Sequence, residues 1–159
     1  IQAFSHLPSP ISLKLVLAGG KGWLYDDIFA CVKRLGLENR VILPGRVAEE
    51  DKAALLSGAM AFVFPSLYEG FGLPVLEAMQ CGAPVICSNT SSLPEVAGDA
   101  ALLFDPLDVD ALAQAMRRVI GDAALRQALA ERGHIQAQRF SWKTCAAKVL
   151  TVLESVRHA

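Results

Sequence analysis

A chain of 159 residues has the length of one domain around a single sizeable hydrophobic core. Just over half of it (53%) is hydrophobic, and the formal net charge is −1, with acids and bases interspersed. That balance argues against a nucleic-acid surface and a polybasic lipid-binding segment, and no apolar run approaches the roughly 20 residues a bilayer-spanning helix needs.

In chain order, Ile1 to Leu7 reads as the tail of a helix closed by Pro8 and Pro10. It has no charged n-region of a secretory leader, and without an initiating Met it suggests a fragment of something larger. Leu13 to Ala18 is a predicted strand, followed by the loop Gly19-Gly20-Lys21-Gly22. Tyr25 to Leu35 carries a helical stripe at Ile28, Phe29, Val32 and Leu35. Arg40 to Leu43 is the next strand, ended by Pro44-Gly45, and Glu49 to Leu56 is a helix with an acidic first turn. Met60 to Phe64 is apolar throughout, as expected of a central strand covered on both faces. After the loop Ser66 to Gly72, a helix runs from about Pro74 to Gln80, with Gly82 as its stop signal. Pro84 to Cys87 is a strand, Asn89 to Ser92 a polar turn, Leu93 to Ala97 a short helix and Ala101 to Phe104 the last strand. Helices then follow over Asp108–Ile120, Asp122 to about Gln138, and Ser141–Val156, the last capped by Ser141. The fold class is α/β: a doubly wound parallel sheet with a helical C-terminal segment, in one domain spanning 1–159.

The cysteines (Cys31, Cys81, Cys87, Cys145) form no CxxC pair and have no histidine at zinc-ligand spacing. Three are flanked by apolar residues, and they read as buried thiols in a reducing cytoplasm. No metal site is expected. His6, His134 and His158 sit in polar or terminal contexts and receive no role. The loop Gly19 to Trp23 fails the dinucleotide GxGxxG pattern, because Tyr25 stands where the third glycine belongs. It also fails the P-loop pattern, so Lys21 reads equally as a phosphate neighbour or a solvated lysine.

Ligands of such sheets bind outside the carboxyl ends of the strands. Of the loops there, Pro65 to Leu73 carries most of the chemistry. An all-apolar strand feeds a loop with Gly70 and Gly72, then a helix whose first turn holds Pro74. Glycines admit a ligand close to backbone N–H groups, and a helix N-terminus suits a phosphate. Glu69 and Glu77 bracket this element, and carboxylates accept hydrogen bonds from paired hydroxyls. One loop can therefore hold phosphates through its backbone and grip a sugar hydroxyl at either end, as a nucleoside-diphosphate sugar requires. The plainer reading is a helix-start acid at Glu77, a loop acid at Glu69 and two turn glycines.

The stretch Glu69 to Glu77 resembles the E-x7-E signature of family-four (group 1) retaining glycosyltransferases, whose GT-B fold sets two Rossmann-like domains face to face. Similarity to that family's C-terminal domain extends over Leu15–Trp23, Glu38–Val47, Ala59–Ser66, Gly82–Ile86, Ser92–Val96, Gly98–Pro106 and Phe140–Trp142. The resemblance implies that Glu69, the catalytic residue, contacts the hydroxyls of the transferred sugar and orients it. Gly70 falls within the same donor loop, and the backbone of Phe71, Gly72 and Leu73 meets the sugar and diphosphate. Glu77 binds the ribose hydroxyls, and Val47 lies against the base. Lys52 has two readings, a place near the base and a solvated helix lysine, and the solvated lysine is the favoured one. Glu95 matches a family position that a helix-start acid explains adequately.

The same resemblance implies a nucleotide-sugar donor, no cofactor or metal, and a glycan or lipid-linked acceptor bound by an N-terminal domain. It also implies a cytoplasmic enzyme able to work at the inner face of the membrane. The context of Gly20–Tyr25 and Ser66–Glu77 is similar to bacterial mannosyltransferases and points to GDP-mannose. An epimerase or phosphorylase of the same architecture, or a non-catalytic nucleotide-binding module, stands as the alternative; the Glu69-to-Glu77 spacing favours the transferase. The family's domain opens with one further strand, whose loop carries an Arg and a Lys for the diphosphate. That strand belongs between the Leu13 and Met60 strands. Without it, the sheet is expected to show a central gap or to close over it, and the fragment, inactive alone, to self-associate or rearrange.

Overall fold

Short apolar runs alternating with helical stripes fold into five parallel strands and eight helices, in a computed structural model that describes residues 1–8, 12–20 and 25–157. The order is α1 (Gln2–Ser5), β1 (Leu15–Ala18), α2 (Asp26–Arg34), β2 (Val41–Gly45), α3 (Glu49–Ser57), β3 (Phe62–Phe64) and α4 (Leu73–Gln80). It continues with β4 (Val85–Ser88), α5 (Leu93–Ala97), β5 (Ala101–Phe104), α6 (Val109–Gly121), α7 (Ala123–Ala137) and α8 (Trp142–Arg157).

The strands form two ladders. β1 pairs with β2, Leu15 opposite Val41, while β3, β4 and β5 pair in that order, and every pairing is parallel. Among the described residues no ladder joins β1 to β3. The break lies where the resemblance expects a further strand, and the neighbouring strands have not closed it. Leu15, Leu17 and Val63 nevertheless pack onto one shared cluster with Phe4 and Ile86, so side chains bridge what backbone bonds do not.

Strand side chains alternate between faces, and β4 shows why both faces are filled. Ile86 points into a cluster built with α1, α2 and α6, whereas Val85 and Cys87 join the cluster of α4, α5 and α7. All four residues of β4 are buried, which makes β4 the central strand. The run Met60 to Phe64 was expected to hold that place. β3 is shorter and only partly buried, because it lies at an edge of its ladder. β2 includes Pro44 and Gly45 instead of ending before them. As an edge strand it tolerates a residue without N–H, and the register shifts there so that Gly19 N–H donates to the Gly45 carbonyl at 2.9 Å.

The α2 stripe is buried only towards its end. Val32 is in the core and Leu35 packs against it, while Ile28 and Phe29 stay exposed beyond the narrow two-stranded ladder. The cysteine expectation needs a similar correction. All four thiols are free, but only Cys87 is buried; Cys31 and Cys81 are half-buried and Cys145 is exposed, because apolar sequence neighbours do not fix which face a residue takes. Burial in β4 pushes the Cys87 thiol up to about 12, so it stays protonated and unreactive.

The C-terminal helices begin with side-chain caps: Asp108 accepts from Ala111 N–H at 2.8 Å, Asp122 from Leu125 N–H at 2.9 Å and Ser141 from Thr144 N–H at 3.0 Å. α7 crosses α4 closely because Gly133 faces Met79; a Cβ at 133 would lie 3.1 Å from Met79 Cγ. Buried Gln136 of α7 also donates to the Val96 carbonyl of α5 at 3.0 Å. These contacts fix α4, the helix that carries the bracketing glutamate. α1 is tied to α6 by Arg117 donating to the His6 carbonyl and by His6 Nδ1 beside Asp110 at 3.2 Å, which gives His6 a structural place. None of the described side chains of α8 is buried. No helix is long and apolar enough to cross a membrane, and no cluster of three His, Cys, Asp or Glu side chains forms a metal site, both among the described residues.

Candidate functional site

Parallel pairing sends the carboxyl end of every strand in a ladder to one side, so the loops after β3 and β4 lie next to each other. The loop after β3 holds Glu69, Gly70, Phe71 and Gly72, and α4 starts at Leu73 with Pro74 in its first turn. Gly72 takes φ 105°, a conformation that side chains oppose, and a Cβ there would lie 2.8 Å from Leu93 Cδ2. Only glycine lets the loop turn into the helix against α5.

The loop after β4 grips this turn. Glu69 N–H donates to Ser91 Oγ at 3.0 Å, and Ser92 Oγ lies 3.1 Å from the Glu69 carbonyl and 2.8 Å from the Phe71 carbonyl. Thr90 Oγ1 donates to the Leu67 carbonyl at 3.2 Å. Ser91 holds a left-handed φ of 54°, unusual for a residue with a side chain. The Glu69 carboxylate itself is aimed by Ser66, whose hydroxyl donates to Oε1 at 2.8 Å. Glu69 is half-buried and Gly70 exposed; the Phe71 and Phe140 rings stand nearly perpendicular with centroids 5.8 Å apart, and Phe71 remains exposed.

Glu77 lies one turn after Leu73 on the same side of α4, near the positive end of the helix. Lys52 of α3 reaches across to it, with Nζ 3.5 Å from Glu77 Oε2 and 3.0 Å from Glu49 Oε2. The hydrogen bond to Glu49, followed by the charge of Glu77, holds the Lys52 ammonium above its ordinary pKa, so the lysine stays charged through the neutral range. The site thus presents two carboxylates about two helical turns of sequence apart, a lysine beside one of them, and backbone donors at a helix N-terminus between them. Such an arrangement suits a ligand with hydroxyls at both ends and negative charge in the middle.

Glu69, Gly70, Phe71, Gly72, Leu73 and Glu77 therefore sit together on one loop–helix junction. Val47 is half-buried in the loop between β2 and α3, the helix that sends Lys52 to Glu77. Lys52 is engaged with the bracketing acid, which the solvated-lysine reading did not anticipate. Lys21, Gly22 and Trp23 of the earlier glycine loop lie outside the described residues. Sequence reasoning missed Ser66 and the triplet Thr90-Ser91-Ser92. Four consecutive polar residues between a buried strand and a helix were the available signal.

The family described as "Glycosyl transferases group 1" matches residues 1–136. O-antigen chain mannosyltransferase B of Escherichia coli is 43% identical over 152 residues, covering 94% of this chain and 40% of the relative. Among solved structures, sucrose-phosphate synthase from Thermosynechococcus elongatus superposes with a TM-score of 0.86 at 31% identity, over 98% of this chain and 41% of that one. HepE of Anabaena, solved in complex with UDP-glucose, gives 0.84 at 26% identity, over 96% of this chain and 43% of its own. The chain spans 40% of the length of the first curated relative it matches, and 18% of the next.

Proposed function

The chain belongs to the group 1 glycosyl transferases, and from that premise we propose that it is the donor-binding domain of an enzyme that moves a sugar from a nucleoside diphosphate to an acceptor. The observation that carries this reading is the junction itself: Glu69 and Glu77 at its two ends, with glycine N–H groups and the start of α4 between them.

In the proposed complex the donor diphosphate lies against the backbone of Gly70 to Leu73, where helix-terminal N–H groups offset its charge. Glu69, aimed by Ser66, accepts hydrogen bonds from the sugar; Glu77, held by Lys52, accepts them from the ribose; and Val47 backs the base. The bond between the anomeric carbon and the phosphate oxygen breaks as the acceptor oxygen bonds to that carbon on the same face, with retention. The acceptor proton passes to the leaving diphosphate. Catalysis then consists of orienting the sugar and stabilising the departing diphosphate, without a metal or a protein nucleophile.

Mannose is the proposed sugar, supported by the Escherichia coli relative, and GDP the proposed carrier. We place the acceptor, a glycan or lipid-linked glycan, on a second domain, and the intact enzyme in the cytoplasm at the inner face of the membrane. This chain alone is then inactive. Its open β1 and β3 edges support self-association, which a monodisperse monomer in sedimentation would contradict.

The role of Glu69 is tested with Glu69→Ala in the full-length enzyme. Turnover is expected to fall by about two orders of magnitude or more, the scale of a lost orienting contact at the reacting sugar, with little change in unfolding temperature. Turnover near wild type overturns the assignment.

A further inference from the structure

We propose that Ser92 is a positioning residue that turns the backbone of the donor loop outward, so that the N–H groups of Gly70 and Gly72 face the donor diphosphate. This rests on the donor-binding reading and deepens it. A trans peptide unit is planar, with its C=O and N–H pointing in opposite directions, and no cis bond occurs among the described residues. Ser92 Oγ lies within hydrogen-bonding distance of the Glu69 carbonyl (3.1 Å) and the Phe71 carbonyl (2.8 Å). Those carbonyls belong to the same peptide units as Gly70 N–H and Gly72 N–H. Holding both carbonyls on the α5 side therefore turns both N–H groups to the opposite side. Among the described residues neither N–H donates to a protein acceptor, as a pair reserved for a ligand requires.

Two further features show that the grip is built. Ser91 accepts the Glu69 N–H from a left-handed φ of 54°, and Leu93, the residue after Ser92, sits where a Cβ on Gly72 would have to go. The turn thus holds Glu69 by both backbone groups and leaves Gly72 one path into α4. The hydroxyl at 92 touches no ligand; it acts through two peptide units.

The experiment compares Ser92→Ala and Ser92→Thr in the full-length enzyme, with steady-state kinetics for donor and acceptor separately and with thermal unfolding. GDP-mannose and UDP-glucose are both offered as donors. Ser92→Ala is expected to lower kcat/KM for the better donor about ten-fold, the scale of one charge-assisted hydrogen bond. It should leave acceptor KM and unfolding temperature close to wild type, while Ser92→Thr, which keeps the hydroxyl, restores most of the loss. A merely structural serine would move the unfolding temperature and both substrates together. If alanine prevents folding, Ser92→Cys, similar in shape with a much weaker donor, carries the same expectation. Wild-type donor kinetics in Ser92→Ala or Ser92→Cys overturns the proposal. If Glu69→Ala is at the same time inactive, the donor site stands without this device; if Glu69→Ala is also unaffected, the donor-site reading itself fails.

Discussion

The two ladders of this domain are built from similar residues and packed very differently. In β4 every residue is buried, Ile86 at 0% exposure, with helices filling both faces. In the β1–β2 ladder one face joins the core through Leu15, Leu17 and Val41, while Val16 and Ile42 on the other remain 38% and 46% exposed. The loop proposed to bind the donor springs from the well-packed half. It is pinned by the turn after β4, and its helix α4 is pinned by α7. A ligand that must be held by backbone groups within fractions of an ångström needs that kind of mounting. The half that supplies Val47 and Lys52 has fewer buried contacts, and local opening is drawn from such regions.

Matched substitutions in the two ladders are expected to differ most in cost. Ile86→Ala is expected to destabilise the full-length protein by about 2–5 kcal/mol, and Ile42→Ala, already half in water, by less than about 1 kcal/mol. Urea denaturation measures both. Equal losses would mean that the exposed face of the β1–β2 ladder is covered in the full protein, and the contrast would dissolve.

A smaller effect sharpens it. Lys52→Met removes the cation beside Glu77 and is expected to weaken donor affinity while scarcely changing unfolding. The sign with pH follows from the shift. Because the folded pKa of Lys52 is raised, the contribution of the pair is complete below the ordinary lysine value of 10.5 and is lost as pH rises through the raised value. Donor affinity attributable to this pair is therefore flat across neutral pH, and a loss near pH 7 would assign Glu77's orientation to another group.

The site was legible in the sequence where its logic is local. An apolar strand, two glycines, a helix-start proline and two glutamates lie within the sixteen consecutive residues from Phe62 to Glu77, so the loop–helix junction could be read directly. What holds it was not legible. Ser92 and Phe71 are 21 positions apart, and Lys52 and Glu77 are 25 apart. They meet only because β3 and β4 pair in parallel and α3 lies on α4, and one sequence carries no pairing register. The place of β3 was misread for a related reason. Phe62-Val63-Phe64 is apolar enough for a central strand, but burial depends on which neighbours are present. The helical stripe of α2 failed at Ile28 and Phe29 in the same way: periodicity gives a face without giving the size of the surface that covers it.

The Gly70-to-Glu77 backbone is the proposed seat of the donor. Hydrogen–deuterium exchange on the full-length enzyme, with and without the sugar nucleotide it turns over fastest, tests it most directly. The amides of residues 70 to 77 are expected to slow markedly on binding, with those after Ser88 following through the Ser91–Ser92 grip and those of α6 unchanged. Unaltered exchange across 70 to 77 at saturating donor, with protection appearing elsewhere, would contradict the account.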